Sequence, residues 1–78
     1  MTLKIISAEK VEFEGQAQSV TLPGTMGAFT VLDHHASLIS TLAKGKIAYR
    51  DEAGHDAELE VPGGLVDVDN NVVSVCIF

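Results

Sequence analysis

The residues best equipped for chemistry in this sequence are one aspartate and two histidines, Asp33, His34 and His35, in the otherwise apolar segment TVLDHHASL. Carboxylates and imidazoles bind metal ions and activate nucleophiles. Adjacent residues of a strand point to opposite faces, so Asp33 and His34 could share a metal ion only from a turn. A zinc site needs three or four protein ligands, and the remaining histidine, His55, belongs to a separate predicted hairpin loop. The sequence therefore argues against a metal site.

A nucleophile is available in principle, because Ser37 or Cys76 could be combined with His35 and Asp33. Ser37 lacks the flanking glycines of a nucleophile elbow, which argues against a serine hydrolase. We interpret Cys76 as a small buried hydrophobic residue of a strand, the usual environment of a free cysteine. A single cysteine also excludes an intramolecular disulfide. We predict no catalytic residue and no cofactor, and we expect that the protein is not an enzyme.

The segment PGTMG, from Pro23 to Gly27, is bounded by glycines but lacks the lysine and the length of a phosphate-binding loop. We predict a β-turn with Thr25 and Met26 at its tip. An exposed methionine offers a soft apolar contact, which indicates a protein partner.

Composition limits the partners further. The chain has 78 residues, of which 46% are hydrophobic, and this fits one domain, residues 1–78, with a packed core. Its 11 acidic and 5 basic residues give a net charge of −6, which argues against nucleic acid and direct lipid binding. The sequence has no apolar run long enough to span a membrane and no signal-peptide pattern, and its lone thiol suits the cytoplasm.

The hydrophobic periodicity of the sequence is two, which indicates strands. DAELEV alternates acidic and apolar residues, as a half-buried strand does. LVDVDNNVVSVCIF reads as two strands joined by a turn at Asp69-Asn70-Asn71. The other predicted strands are LKIIS, VEFEG, QSVTL, AFTVL, SLISTL and KIAYR, with turn signals at Gly15, Pro23-Gly24, Gly27, Gly45, Gly54 and Pro62-Gly63-Gly64. This spacing favours an all-β sandwich or barrel of antiparallel strands.

A carrier domain of the lipoyl or biotinyl type has a similar size and fold class. Such a domain displays a lysine at a hairpin tip, within Asp/Glu-x-Lys or Ala-Met-Lys-Met. Lys44 and Lys46 lie nearest a turn, in AKGKI, and neither has those neighbours. A carrier, or a generic protein-interaction domain, is the alternative hypothesis.

Three segments carry a family resemblance. In LKIISAEKVEFEGQAQSVTLPGTMG, a strand leads through Ser-Ala-Glu and Phe-x-Gly to a Gly-x-x-Gly loop. GAFTVLDHHASLISTLAKGKI is similar to a stretch with His-Ala-Pro-Leu followed by Gly-x-(Ile/Val), and VPGGLVDVDNNVVSV to one that begins with Gly-Gly-(Ile/Leu). The three segments resemble the N-terminal domain of the epsilon subunit of bacterial rotary ATP synthases, which is called delta in mitochondria. Their order and spacing match over essentially the whole chain.

The resemblance implies a two-sheet antiparallel β-sandwich of about ten short strands at the foot of the central stalk. There it would couple the gamma subunit to the membrane c-ring during proton-driven ATP synthesis. The implied partner-binding residues form a loop and a turn: Gly24, Thr25, Met26, Gly27 and Ala28, then Asp33, His34, His35 and Ala36. His35 matches the histidine of His-Ala-Pro, so Asp33–His35 is expected to be a surface turn. Ser37 replaces the family's proline, which fixes φ, so the turn is expected to be more pliable.

Family members often have acidic residues where this loop has Thr25, Met26 and Ala28, so Asp33 is the expected source of any ionic contact with the ring. They typically continue into two C-terminal helices that can inhibit ATP hydrolysis, whereas this sequence ends at Phe78. From the resemblance we therefore expect no inhibitory arm and no nucleotide binding. The expected location is the cytoplasmic face of the inner membrane, peripheral through protein contacts.

Overall fold

The computed structural model describes residues 1–78, which form eight β-strands. The strands are β1 Thr2–Ser7, β2 Val11–Leu22, β3 Phe29–Leu32, β4 Leu38–Leu42, β5 Gly45–Asp51, β6 Asp56–Val61, β7 Gly64–Asp69 and β8 Val72–Ile77. No helix in the structure has the length and apolarity needed to cross a bilayer.

Two sheets share the long strand β2. The first has the order β4-β7-β8-β1-β2, and in the second β3 and β5 both pair with β2, with β6 beyond β5. The first half of β2 pairs with β1, and its second half pairs with β3 and β5. The pairing register of β2 with β5 shifts between Ala17 and Ser19. Such a bulge bends a strand, which allows β2 to pass from one sheet to the other.

One hydrophobic core lies between the sheets. Its members alternate with exposed residues along the strands, as the two-residue period predicts. The core residues are Met1, Leu3, Ile5, Ala17, Val20, Leu22, Val31, Leu42, Ile47, Val61, Val66, Val68, Val73 and Val75. The rings of Phe13 and Tyr49 pack beside this core with their centroids 4.5 Å apart. No polar or charged residue is buried.

The predicted all-β sandwich is confirmed, but the expected number of about ten strands is wrong. VEFEG and QSVTL are parts of one strand, because the predicted turn at Gly15 does not exist. Gly15 lies within β2, opposite Leu3 of β1. The pairing is also not wholly antiparallel, since β1 and β8 pair in parallel over Thr2–Ser7 and Val72–Ile77.

Cys76 is exposed, so the prediction of a buried cysteine is wrong. It lies in β8 as expected, but the inward-facing positions of that strand are Val73 and Val75. Since side chains alternate between faces, Cys76 points outward.

The predicted hairpin turn after β7 is confirmed. Asn70 and Asn71 have φ values of 49° and 61°, the left-handed conformation that asparagine tolerates. Asp56–Val61 also has the predicted alternation, with its acidic residues exposed.

Candidate functional site

The two segments predicted to bind partners lie at opposite ends of β3. Residues 24–28 precede Phe29 and residues 33–36 follow Leu32. The first segment lies near the start of β7, because Gly24 pairs with Leu42 and Leu42 pairs with the first residue of β7. The second lies near the end of β7, because Ser37 contacts Asp69. A four-residue strand spans roughly 13 Å. The structure therefore separates the predicted residues into two surfaces, one at each end of the sandwich.

The base of the first segment is held to β4. The Thr25 amide donates to the Thr41 carbonyl oxygen at 3.1 Å, and the two threonine hydroxyls are 2.8 Å apart. Gly27 closes the turn by donating to the Gly24 carbonyl oxygen at 2.9 Å. At the tip Met26 is 98% exposed, as predicted. This loop thus presents an apolar side chain on a fixed base.

The second segment is a surface turn, as predicted. His34 has a φ of 61°, and the His35 amide donates to the Leu32 carbonyl oxygen at 3.2 Å. The His34 amide donates to Oδ1 of Asn71 at 2.7 Å, which joins the turn to the β7–β8 hairpin. Both histidines are exposed, and His35 Nδ1 donates to the Ala36 carbonyl oxygen at 2.7 Å.

Ser37 ties the same turn to the hairpin a second time. Its hydroxyl donates to Oδ1 of Asp69 at 2.7 Å. A proline at this position would fix φ but could not make that bond. The serine therefore replaces a backbone restraint with a side-chain hydrogen bond, and the expected pliability is offset.

The Asp33 carboxylate is already partly engaged. Its Oδ1 forms an ion pair with the α-amino group of Met1 and accepts a hydrogen bond from Nδ2 of Asn71 at 3.4 Å. The amino-group hydrogen bond lowers the pKa of Asp33 against an opposing effect of desolvation, and the Asn71 hydrogen bond lowers it further. The side chain is 60% exposed and its contacts all use Oδ1, so Oδ2 makes no contact within the protein.

Asn71, Asp69 and the amino group of the buried Met1 hold this second surface in place, and no sequence motif indicates these contacts. Asn71 was recognised only as a turn residue, because asparagine favours the left-handed conformation. Its bond to the His34 amide joins residues 37 positions apart in the chain. No local pattern reports such a contact.

The third histidine lies apart from the other two. His55 Nδ1 is 3.6 Å from Oδ2 of Asp51 in a different hairpin, away from His34 and His35. No three His, Cys, Asp or Glu side chains are grouped as a metal site would require. An open groove beside the β4–β5 turn is lined by Lys44, Gly45, Lys46, Glu60, Val61 and Pro62, with no histidine, serine or cysteine.

Comparison with known proteins gives a consistent result. Residues 1–77 match the family described as the ATP synthase, Delta/Epsilon chain, beta-sandwich domain. An ATP synthase epsilon chain of Leptospira borgpetersenii is 33% identical over 75 residues, which are 96% of this chain and 58% of that protein. An epsilon chain of Synechococcus is 34% identical over 77 residues, which are 99% of this chain and 55% of that protein. The chain thus spans little more than half the length of these relatives.

Solved structures share the fold. Part of the mitochondrial ATP synthase of Euglena gracilis superposes with a TM-score of 0.90 at 21% identity, over 96% of this chain and 48% of that one. Part of the Tetrahymena thermophila mitochondrial enzyme gives a TM-score of 0.83 at 15% identity, over 100% of this chain and 63% of that one. The chain forms an eight-stranded sandwich, and the family match covers residues 1–77. It therefore belongs to the delta/epsilon-chain β-sandwich family of the ATP synthases.

Proposed function

We propose that this chain is the β-sandwich portion of an epsilon-type central-stalk subunit, which couples gamma to the c-ring during proton-driven ATP synthesis. The observation that carries the proposal is the family match over residues 1–77. Epsilon chains of Leptospira and Synechococcus align with this chain, and the Tetrahymena structure that shares its fold is described as central stalk and c-ring.

In this proposal residues 1–78 act as one non-catalytic domain without a cofactor or bound nucleotide. The domain would sit at the cytoplasmic face of the inner membrane, held by protein contacts. A core of 14 packed hydrophobic residues supports the role, because close-packed interiors deform little under load.

The two surfaces suit a protein that holds two neighbours at once. One presents Met26 on the loop Gly24–Ala28, and the other presents His34 and His35 on the turn Asp33–Ala36. Because β3 separates them, a change at one surface should leave the other intact. We therefore assign docking to both segments, each acting independently.

Co-purification tests the assignment. The chain is tagged in its native host, the membranes are solubilised gently and the eluted proteins are identified. Recovery of gamma with c subunits supports the proposal. Elution alone, or with acyl-transfer enzymes and a lipoyl or biotinyl mass on the chain, would reject it in favour of the carrier alternative.

Single substitutions then test the two surfaces. Met26→Asp and His35→Ala should each weaken rotor recovery by roughly 5-fold or more, the effect of removing a contact that matters in an interface. The controls lie in the exposed β5–β6 hairpin: Ala53→Asp introduces an aspartate, as Met26→Asp does, and His55→Ala removes an imidazole, as His35→Ala does. Equal recovery of test and control variants, all with unchanged circular dichroism, would refute the surface assignment.

A further inference from the structure

We propose that Asn71 is a positioning residue for docking: it holds the Asp33–Ala36 turn in the conformation that meets the rotor. This inference rests on the function proposed above. Asn71 lies outside the turn and contacts it through its side-chain amide.

The turn needs an external restraint because of its backbone. His34 has a φ of 61°, a conformation that costs a residue with a Cβ roughly 1–2 kcal/mol. The side-chain oxygen of Asn71 accepts the His34 amide hydrogen at 2.7 Å. The side-chain nitrogen of Asn71 donates to Asp33 Oδ1 at 3.4 Å. The side-chain amide of Asn71 is therefore hydrogen-bonded both to the backbone of His34 and to the side chain of Asp33.

Asn71 is itself fixed to the frame of the sandwich. Its carbonyl oxygen accepts the amide hydrogen of Thr2 at 3.0 Å, which ties it to the start of β1. The neighbouring Asn70 shares the left-handed conformation but makes no side-chain hydrogen bond to the turn, and it is exposed where Asn71 is half-buried. Asn71 thus links the backbone of the turn to the β1–β8 framework, in addition to the contacts of Met1 with Asp33 and of Ser37 with Asp69.

In this arrangement the backbone of the turn is held before a partner binds. The backbone therefore sets the positions of the exposed His34 and His35 side chains. If the turn populated other conformations, only the competent fraction would bind, and the apparent affinity would fall by that fraction. Loss of the Asn71 side chain should therefore weaken docking although Asn71 need not touch the partner.

The experiment compares Asn71→Gly with Asn70→Gly in the full chain. Glycine adopts positive φ without strain, so both variants keep the hairpin and differ only in which amide is lost. The readouts are hydrogen exchange of the His34 amide by NMR and affinity for a purified gamma–c-ring assembly. In Asn71→Gly we expect faster exchange and an affinity lower by about 3- to 10-fold, the range of one or two lost hydrogen bonds. In Asn70→Gly both should stay within about 2-fold of the parent.

A third variant, Asn71→Asp combined with Asp33→Asn, keeps the acceptor for the His34 amide without bringing two carboxylates together, and it should restore slow exchange at that site. Unchanged His34 exchange in Asn71→Gly would overturn the positioning role, and so would faster exchange without loss of affinity. Equal losses of affinity in both glycine variants would show direct contact by the hairpin tip and would also overturn it. If the parent chain itself fails to bind the assembly, the proposed function and the docking role fall together, while His34 exchange still reports whether Asn71 holds the turn.

Discussion

Gly64 begins β7 where the backbone of β8 passes very close. Its φ is 156°, and a Cβ placed on it would clash with the carbonyl oxygen of Cys76. The neighbouring atom belongs to the backbone of a paired strand, so it cannot move without breaking the ladder. A side chain is therefore excluded here by space as well as by conformation.

We expect Gly64→Ala to lower the free energy of unfolding by roughly 2–4 kcal/mol, as substitutions that force a backbone clash do. Gly27→Ala is the control, because Gly27 has a φ of 127° but nothing within 4 Å of the added Cβ. It should cost only the conformational strain, roughly 1–2 kcal/mol. Urea denaturation of both variants measures the difference, and equal losses would contradict the clash.

At this scale the sequence is informative about single positions but not about their contacts. The alternation of Val73 and Val75 places Cys76 on the outer face, which contradicts the prediction of a buried thiol. The exposure of Met26 followed from its place at a turn tip. The bond between Asn71 and His34 depends on how two distant hairpins meet, which no local preference specifies.

Among the elements, β6 is an edge strand whose outer positions are acidic. Two of its acids pair with β5: Asp56 accepts two hydrogen bonds from Arg50 at 2.8 and 3.1 Å, and Glu58 lies 3.6 Å from Lys46. The hydrogen bonds from Arg50 lower the pKa of Asp56, with desolvation opposing and the charge of Arg50 assisting. Charged side chains on an edge also discourage pairing with a second sheet.

The pH dependence of this pair has a definite sign. The folded-state pKa of Asp56 lies below its ordinary value of 3.8, so the pair stabilises the fold above that value and loses its effect as pH falls through the folded-state pKa. Asp56→Asn should therefore have a lower urea midpoint than the parent at about pH 7, and the gap should shrink as the pH is lowered below 3.8. Asp67→Asn, an exposed change on β7 without an ion pair, is the control. A gap that stays constant with pH would rule out this account.

Strands with strict alternation could be predicted as elements, and β2 could not. The two halves of β2 pair with strands of different sheets. The residues before and after Gly15 therefore have different patterns of buried and exposed positions, and the sequence predicts two strands there. The glycine in between has the look of a turn signal, yet it lies in the middle of the ladder with β1. The parallel pairing of β1 with β8 joins the two ends of the sequence, and strand propensities contain no information on it.

The whole molecule depends on one core, so a core truncation should act on all of it. Ile47 is fully buried, and Ile47→Ala should lower the free energy of unfolding by roughly 2–5 kcal/mol. Ile39 is 72% exposed on β4, and Ile39→Ala should change the free energy of unfolding by less than about 0.5 kcal/mol. Chemical denaturation followed by circular dichroism and by Tyr49 fluorescence should give one coincident transition in each case. Separate transitions for the two probes would contradict a single core.

The parallel pairing of β1 with β8 has a mechanical consequence. Thr2 lies beside Val72 and Ser7 beside Ile77, so the start of β1 and the end of β8 are at opposite ends of the same ladder. A pull that draws Thr2 and Ile77 apart runs along both strands and loads all the hydrogen bonds between them together, in shear. An antiparallel pair pulled from adjacent ends would open one bond after another, like a zipper. The sandwich should therefore resist tension applied between the start of β1 and the end of β8.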